Sequence, residues 1–187
     1  MAGRSFLVSE QGMKVIGLSG WSGAGKTTLL TRLIPHLIAE GLHVSTVKHA
    51  HSNFDVDIPG KDSWLHRQAG ATEVLISSGR RWALMHELRG APEPPLAELL
   101  SKMSRVDLLI VEGFKADRHP KIEIHRSANG KPLMFPQDPT IVGIAADIAV
   151  NTALPYAHLD DIPAISRIVR ASAVRIEDVL AHEAAGA

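Results

Sequence analysis

The sequence predicts an α/β protein of the P-loop NTPase type: a mostly parallel sheet covered by helices on both faces, with an antiparallel β excursion. Three observations carry that expectation. Short apolar, β-branched runs alternate with helical stretches, as strand–helix–strand crossovers require. The pattern G-x-x-x-x-G-K-T occupies Gly20–Thr27, directly after one such run and at the head of a helical stretch. The segment "VDLLIVEGFK" holds a continuous apolar run, Leu108–Val111, typical of a strand buried on both sides. A chain of 187 residues suits one domain, here 13–187, behind a loose tail over 1–12.

The elements follow in order. "KVIGLS", Lys14–Ser19, reads as a buried strand. The first helix runs from about Lys26 to Glu40 and stops at Gly41, a natural left-handed cap. Pro35 lacks the amide that residue 31 would use, so it should bend that helix. Leu42–His49 is the second strand, followed by the polar loop "AHSNFDVDIPG". Asp62 or Ser63 caps a short helix ending before Gly70. Thr72–Ser78 and Arg81–Leu88 read as strands about a tight Gly79 turn. A proline-rich link leads into a helix reaching Met103, and the Leu108–Val111 strand comes next.

Lys121–Arg126, "KIEIHR", alternates like a half-exposed strand with "ANG" as its turn. Thr140–Asp147 is another buried strand, and the chain from Asp161 onward is helical with Pro163 in its first turn. Arg81–Leu88 and Lys121–Arg126 break the strand–helix alternation and are expected to form the antiparallel excursion. Its open strand edge makes that region the candidate homodimer surface.

Composition narrows the function classes. Lys plus Arg and Asp plus Glu each number 20, so no global field draws in nucleic acid or an acidic membrane. The absence of cysteine removes disulfides, thiolate nucleophiles and thiolate metal sites. No apolar stretch approaches a membrane span, and the first residues lack the apolar core of a signal peptide. A cytoplasmic protein is expected.

The glycine-rich loop carries the chemistry. Gly20, Gly23 and Gly25 let the backbone turn its N–H groups onto phosphate oxygens, and the start of the first helix adds positive potential there. Lys26 would reach the β- and γ-phosphates, and the Thr27 hydroxyl would ligate Mg²⁺. A second acid is sought at the carboxyl end of the Leu108–Val111 strand, where ligands of open parallel sheets bind. With a rise of about 3.3 Å per residue, Asp107 and Glu112 stand roughly 16 Å apart, so only one can serve. Glu112 is that one; it would hold Mg²⁺ or orient an attacking water, and Asp107 becomes a solvent-facing strand start. Gly113 either leaves room for the γ-phosphate or is a plain turn glycine.

By the same rule Lys48 and His49 face the pocket. Asp55 and Asp57 are either a switch-like pair sensing Mg²⁺ and the γ-phosphate, or an Asx-turn and helix cap. His49, His51, Asp55 and Asp57 together would also suit zinc or nickel. The usual Asn-Lys-x-Asp guanine reader is absent; Asp147, at a strand end, either accepts from guanine N1 and N2 and so selects GTP, or caps a turn.

"GWSGAGKTTLL", "VKHAHSNFDVDIPGKDSWLHRQAGA", "LLIVEGFK", "KIEIHR" and "IVGIAAD" resemble, in order from about Lys14 to Asp161, the molybdopterin-guanine dinucleotide biosynthesis adapter family, MobB. The resemblance implies a homodimer that binds GTP with Mg²⁺, hydrolyses it weakly, and partners the MobA-type guanylyltransferase that joins GMP to molybdopterin, with molybdopterin a further ligand. Carried over by position, the cradle is Gly20, Trp21, Ser22, Gly23, Ala24, Gly25, Lys26, Thr27 and Thr28, with Glu112 as its acid. Related metal-cluster and nitrogenase-type families place a lysine early in the cradle; Trp21 stands there here, so that position offers no lysine to cross between subunits.

Phosphoryl transfer depends on positioning and charge, and no catalytic arginine is identifiable; Arg80, Arg81, Arg89 and Arg118 read as solvated. A GTP-holding accessory protein is therefore favoured. The alternatives are a P-loop small-molecule kinase and a nickel- or zinc-delivery GTPase.

Overall fold

A computed structural model describes residues 12–50 and 54–184. Its centre is a seven-stranded sheet. Six strands run parallel: β1 (Lys14–Ser19), β2 (Val44–Lys48), β5 (Leu108–Glu112), β6 (Lys121–His125), β7 (Ile141–Ala146) and β8 (Tyr156–His158), in the order β2-β5-β1-β6-β7-β8. A two-residue strand, β9 (Val174–Arg175), pairs antiparallel with the start of β1. The chain moves outward from β1 in both directions, to β5 and β2 on one side and to β6 on the other. A crevice beside β1 at the carboxyl ends follows from that reversal.

Alternation along the strands divides the core. Ile16 and Leu18 of β1, Leu108 and Ile110 of β5, and Ile122 and Ile124 of β6 face one layer. There they pack on helix α1 (Lys26–Ala39) through Leu29, Leu33 and Leu37 and on helix α4 (Ile162–Ser172) through Ile165 and Val169. Val15, Leu109 and Val111 face the other side, onto helix α3 (Leu96–Ser101) and helix α5 (Ile176–Ala184). This period of two on a strand buried from both faces is what the apolar runs encode.

The cap of α1 forms as the sequence requires. Gly41 sits at φ 90°, its amide donates to Ile38 O at 3.0 Å, and Leu42 N donates to Leu37 O at 3.2 Å. This is the double closure that ends a helix at a left-handed residue. The helix runs on through Pro35, whose missing amide leaves the Thr31 carbonyl on an exposed face where water can serve it. Asp161 caps α4 by accepting from Ala164 N at 2.9 Å, with Pro163 in the first turn. The intervening short helix, α2 (Asp62–Gln68), begins one residue earlier than a cap at Asp62 implies; Lys61 is the flanking residue.

The antiparallel excursion exists, with a different partner from the one expected. β3 (Glu73–Ser77) and β4 (Trp82–His86) form a separate two-stranded sheet, Ser77 opposite Trp82. β6 instead lies inside the parallel sheet between β1 and β7, buried at every position. Its polar residues mislead because their side of the sheet is covered by the segment 126–140 rather than by water. Glu123 accepts from Met134 N at 2.7 Å and Phe135 N at 2.9 Å. Lys121 Nζ donates to Thr140 Oγ1 at 2.8 Å and to the Asp117 carbonyl. Buried charges with such partners are tolerated.

Candidate phosphate-binding site

The glycine-rich loop leaves the carboxyl end of β1 and enters α1. Gly20 sits at φ 147°, and a Cβ there would lie 2.5 Å from the Ile124 carbonyl oxygen of β6. No side chain fits; the loop presses against the neighbouring strand. Lys26 Nζ spans the loop and donates to Gly20 O at 2.9 Å and Trp21 O at 3.1 Å. Partial burial lowers its pKa, Glu112 acts to raise it, and Lys115 and Lys48 lower it further. Several cations therefore surround one cradle.

The loop is also tied to the 126–140 segment. Trp21 Nε1 donates to Pro132 O at 2.8 Å, and Asn129 Nδ2 donates to Ser22 O at 2.9 Å. Lys115 Nζ lies 5.5 Å from the Trp21 ring centre. Ala24 is buried beneath the loop, while Thr27 and Thr28 are exposed in the first turn of α1.

Glu112 ends β5 opposite Leu18 of β1 and Lys48 of β2, on the same edge of the sheet as the loop. Its side chain is largely covered, and Lys48 Nζ stands 3.7 Å from Oε1. Gly113, at φ 98°, would place a Cβ 2.5 Å from that of His49, so the glycine is needed for close packing of two loops. His49 is held at 2.8 Å from Glu93 and stacks on Phe114. Asp107, at the other end of β5, is not solvent-facing as expected: only 9% of its side chain is exposed, and it accepts from His43 N at 2.8 Å.

Asp55 and Asp57 are committed elsewhere than the cradle. Arg67 of α2 reaches Asp55 Oδ1 at 2.7 Å, Asp57 at 2.7 and 3.0 Å, and Glu87 at 2.6 Å. Hydrogen bonding to Arg67 holds the Asp57 carboxyl below the usual carboxylate range, and Arg67 is pushed further toward its cation, first by Asp57 and then by Glu87. Arg89, expected to be solvated, donates to Arg67 O and Ala71 O. His51 lies outside the described residues. Among the described residues no group of three or more His, Asp or Glu is placed to hold a metal ion.

Asp147 follows β7, two strands from β1 and so roughly 10 Å across the sheet. Its carboxylate accepts from Ser127 N at 2.8 Å and Ser127 Oγ at 3.1 Å. These bonds, the backbone one foremost, hold it below the ordinary aspartate range. The ionised acid stands at the carboxyl edge, on the side of the cradle away from Glu112.

Sequence reasoning missed Arg126 and Asn129, which border the cradle, and Arg67. The first two follow β6, and placing that strand beside β1 was the signal needed.

Comparison with known proteins gives a consistent picture. The family model described as Molybdopterin guanine dinucleotide synthesis protein B matches residues 15–147. The chain is 37% identical to the molybdopterin-guanine dinucleotide biosynthesis adapter protein of Escherichia coli K12, over 90% of this chain and 95% of that one. It is 38% identical to the Haemophilus influenzae adapter, over 83% and 86%. A crystal structure of a molybdopterin-guanine biosynthesis protein B superposes with a TM-score of 0.67 at 25% identity, over 84% of this chain and 98% of that one.

Proposed function

The chain belongs to the MobB family, and on that premise we propose that it is a GTP-binding adapter in the synthesis of molybdopterin guanine dinucleotide. The observation that carries the reading is the loop Gly20–Thr28, with Lys26 folded over it and Glu112 on the same sheet edge. Exposed amides at the start of α1 suit phosphate oxygens. The Thr27 hydroxyl and the Glu112 carboxylate are hard oxygen donors of the kind Mg²⁺ takes, and Lys48 beside Glu112 suits a terminal phosphate. Asp147 supplies an ionised acceptor for guanine N1 and N2.

Turnover is slow in this reading. The acids Asp55 and Asp57 are taken up by Arg67, and the partner beside Glu112 is Lys48, a cation and so no base for water. The protein then serves a guanylyltransferase by holding or presenting nucleotide, with molybdopterin reaching the joint site. The homodimer forms through the β3–β4 sheet, where Leu75, Trp82 and Leu84 are exposed by 61%, 66% and 49%. A two-stranded sheet with open edges is marginal alone and gains by pairing with a second copy.

Reconstituted dinucleotide synthesis with the guanylyltransferase tests the reading. Wild type is expected to raise the yield and Lys26→Ala to lose that gain. Equal yields with the two proteins would remove nucleotide binding from the role.

A further inference from the structure

We propose that Arg126 is a phosphate-binding residue of the cradle, gripping the base-proximal part of the triphosphate while Lys26 serves the terminal part. The inference rests on the nucleotide reading above. Arg126 directly follows β6, the parallel neighbour of β1, and so emerges at the same sheet edge as the glycine loop. A Cβ built on Gly25 would lie 3.4 Å from a terminal guanidinium nitrogen of Arg126 and 3.6 Å from its Nε. Gly25 is the residue that flanks the start of α1. The guanidinium thus lies against the positive end of a 14-residue helix, beside amides that have no acceptor within that helix.

A cation held there is repelled unless an anion joins it. Among the described residues the Arg126 side chain makes no hydrogen bond or ion pair, and it meets the charges of Asp147 and Asp160 only at longer range. The two nearby acids are engaged by others, Asp147 by Ser127 and Asp160 by Arg32 at 2.8 Å. An oxyanion seated on the helix amides satisfies both the amides and the planar guanidinium fork.

The side of approach selects the phosphate. Lys48 and Glu112 flank β1 on the β2–β5 side, whereas Arg126 flanks it on the β6 side toward Asp147. A nucleotide with its base at Asp147 and its terminal phosphate at Glu112 passes Arg126 first. Gly25 itself is required by its backbone, which sits at φ 90°, a conformation that residues with a Cβ rarely adopt.

Titrations of wild type, R126A, R126K and K26A with GTP, GDP and GMP test the assignment. R126A is expected to weaken all three by a similar factor, about ten- to hundredfold, with R126K recovering part of it. K26A is expected to weaken GTP and GDP while sparing GMP. Wild-type affinity in R126A would overturn the proposal and leave the nucleotide reading standing on K26A. A loss confined to GTP would place the guanidinium at the terminal phosphate and overturn the assignment. Wild type that binds no GTP would remove both. R126Q carries the same comparison should R126A fail to fold.

Discussion

The parallel sheet and the α2–β3–β4 excursion are held by different physics. In the sheet, β1 and β5 bury large apolar side chains on both faces, and even the polar residues of β6 are enclosed and bonded. In the excursion, Val74 is the only buried residue of β3, and none of β4 is buried. What gathers the excursion is Arg67, whose fork joins the loop after β2 to β4 through Asp55, Asp57 and Glu87. A packed core loses stability when volume is removed; a charge hub fails when one ion is removed or neutralised. The cradle rests on the first kind of construction, and the exposed apolar face rides on the second.

That contrast can be broken first in the core. Ile110→Ala, at a buried position of β5, should destabilise the whole domain by about 2–5 kcal/mol in denaturant unfolding. A smaller loss would mean that the sheet repacks freely. Next in size is an acid effect centred on His119, whose ring is buried with neither nitrogen hydrogen-bonded and packs on Gly17. Burial, with Lys121 adding to it, lowers its pKa from 6.5 to about 4. The unfolded chain therefore binds a proton that the folded chain refuses. Stability is unaffected above about pH 6.5 and falls as pH drops from there to about 4, by about 1.4 kcal/mol per unit from this group. His119→Leu should flatten that window, whatever its absolute stability.

The excursion should answer to other perturbations. Arg67→Ala should raise hydrogen exchange across Glu73–His86 while leaving β1 and β5 protected. Equal loosening of both would contradict two separate supports. Because Asp57 is held below the usual aspartate range, its contribution is intact above about pH 4 and fades as pH falls through its lowered value. The main sheet should thus begin to weaken at higher pH than the hairpin. The smallest effect is expected for Leu84→Ser, within about 0.5 kcal/mol in dilute protein. The same change should reduce dimer in light scattering if that face meets a second copy.

How much was legible in the sequence follows the same division. β1, β5 and β7 announce themselves because burial on both faces leaves an unbroken apolar run. The glycine loop is legible because the backbone conformations it needs restrict the residue types. "KIEIH" carries the period of a half-exposed strand, and only the 126–140 segment folded over it shows why Lys121 and Glu123 are inside. β8 and β9 are too short, at three and two residues, to stand out from loop sequence. Asp55 and Asp57 read as nucleotide-sensing acids before structural ones, since Arg67, their partner, lies beyond a loop of no regular period. Arg126 could be placed beside Gly25 only once β6 was placed beside β1.

In the function proposed above, the loop Gly20–Thr28, with Lys26, holds a guanine nucleotide. Calorimetric titration of the purified protein with Mg-GTP, at two temperatures so that a vanishing enthalpy at one cannot hide binding, tests it most directly. One GTP per chain, lost in Lys26→Ala, is the result expected. No binding heat at either temperature, or binding unchanged in Lys26→Ala, would contradict it.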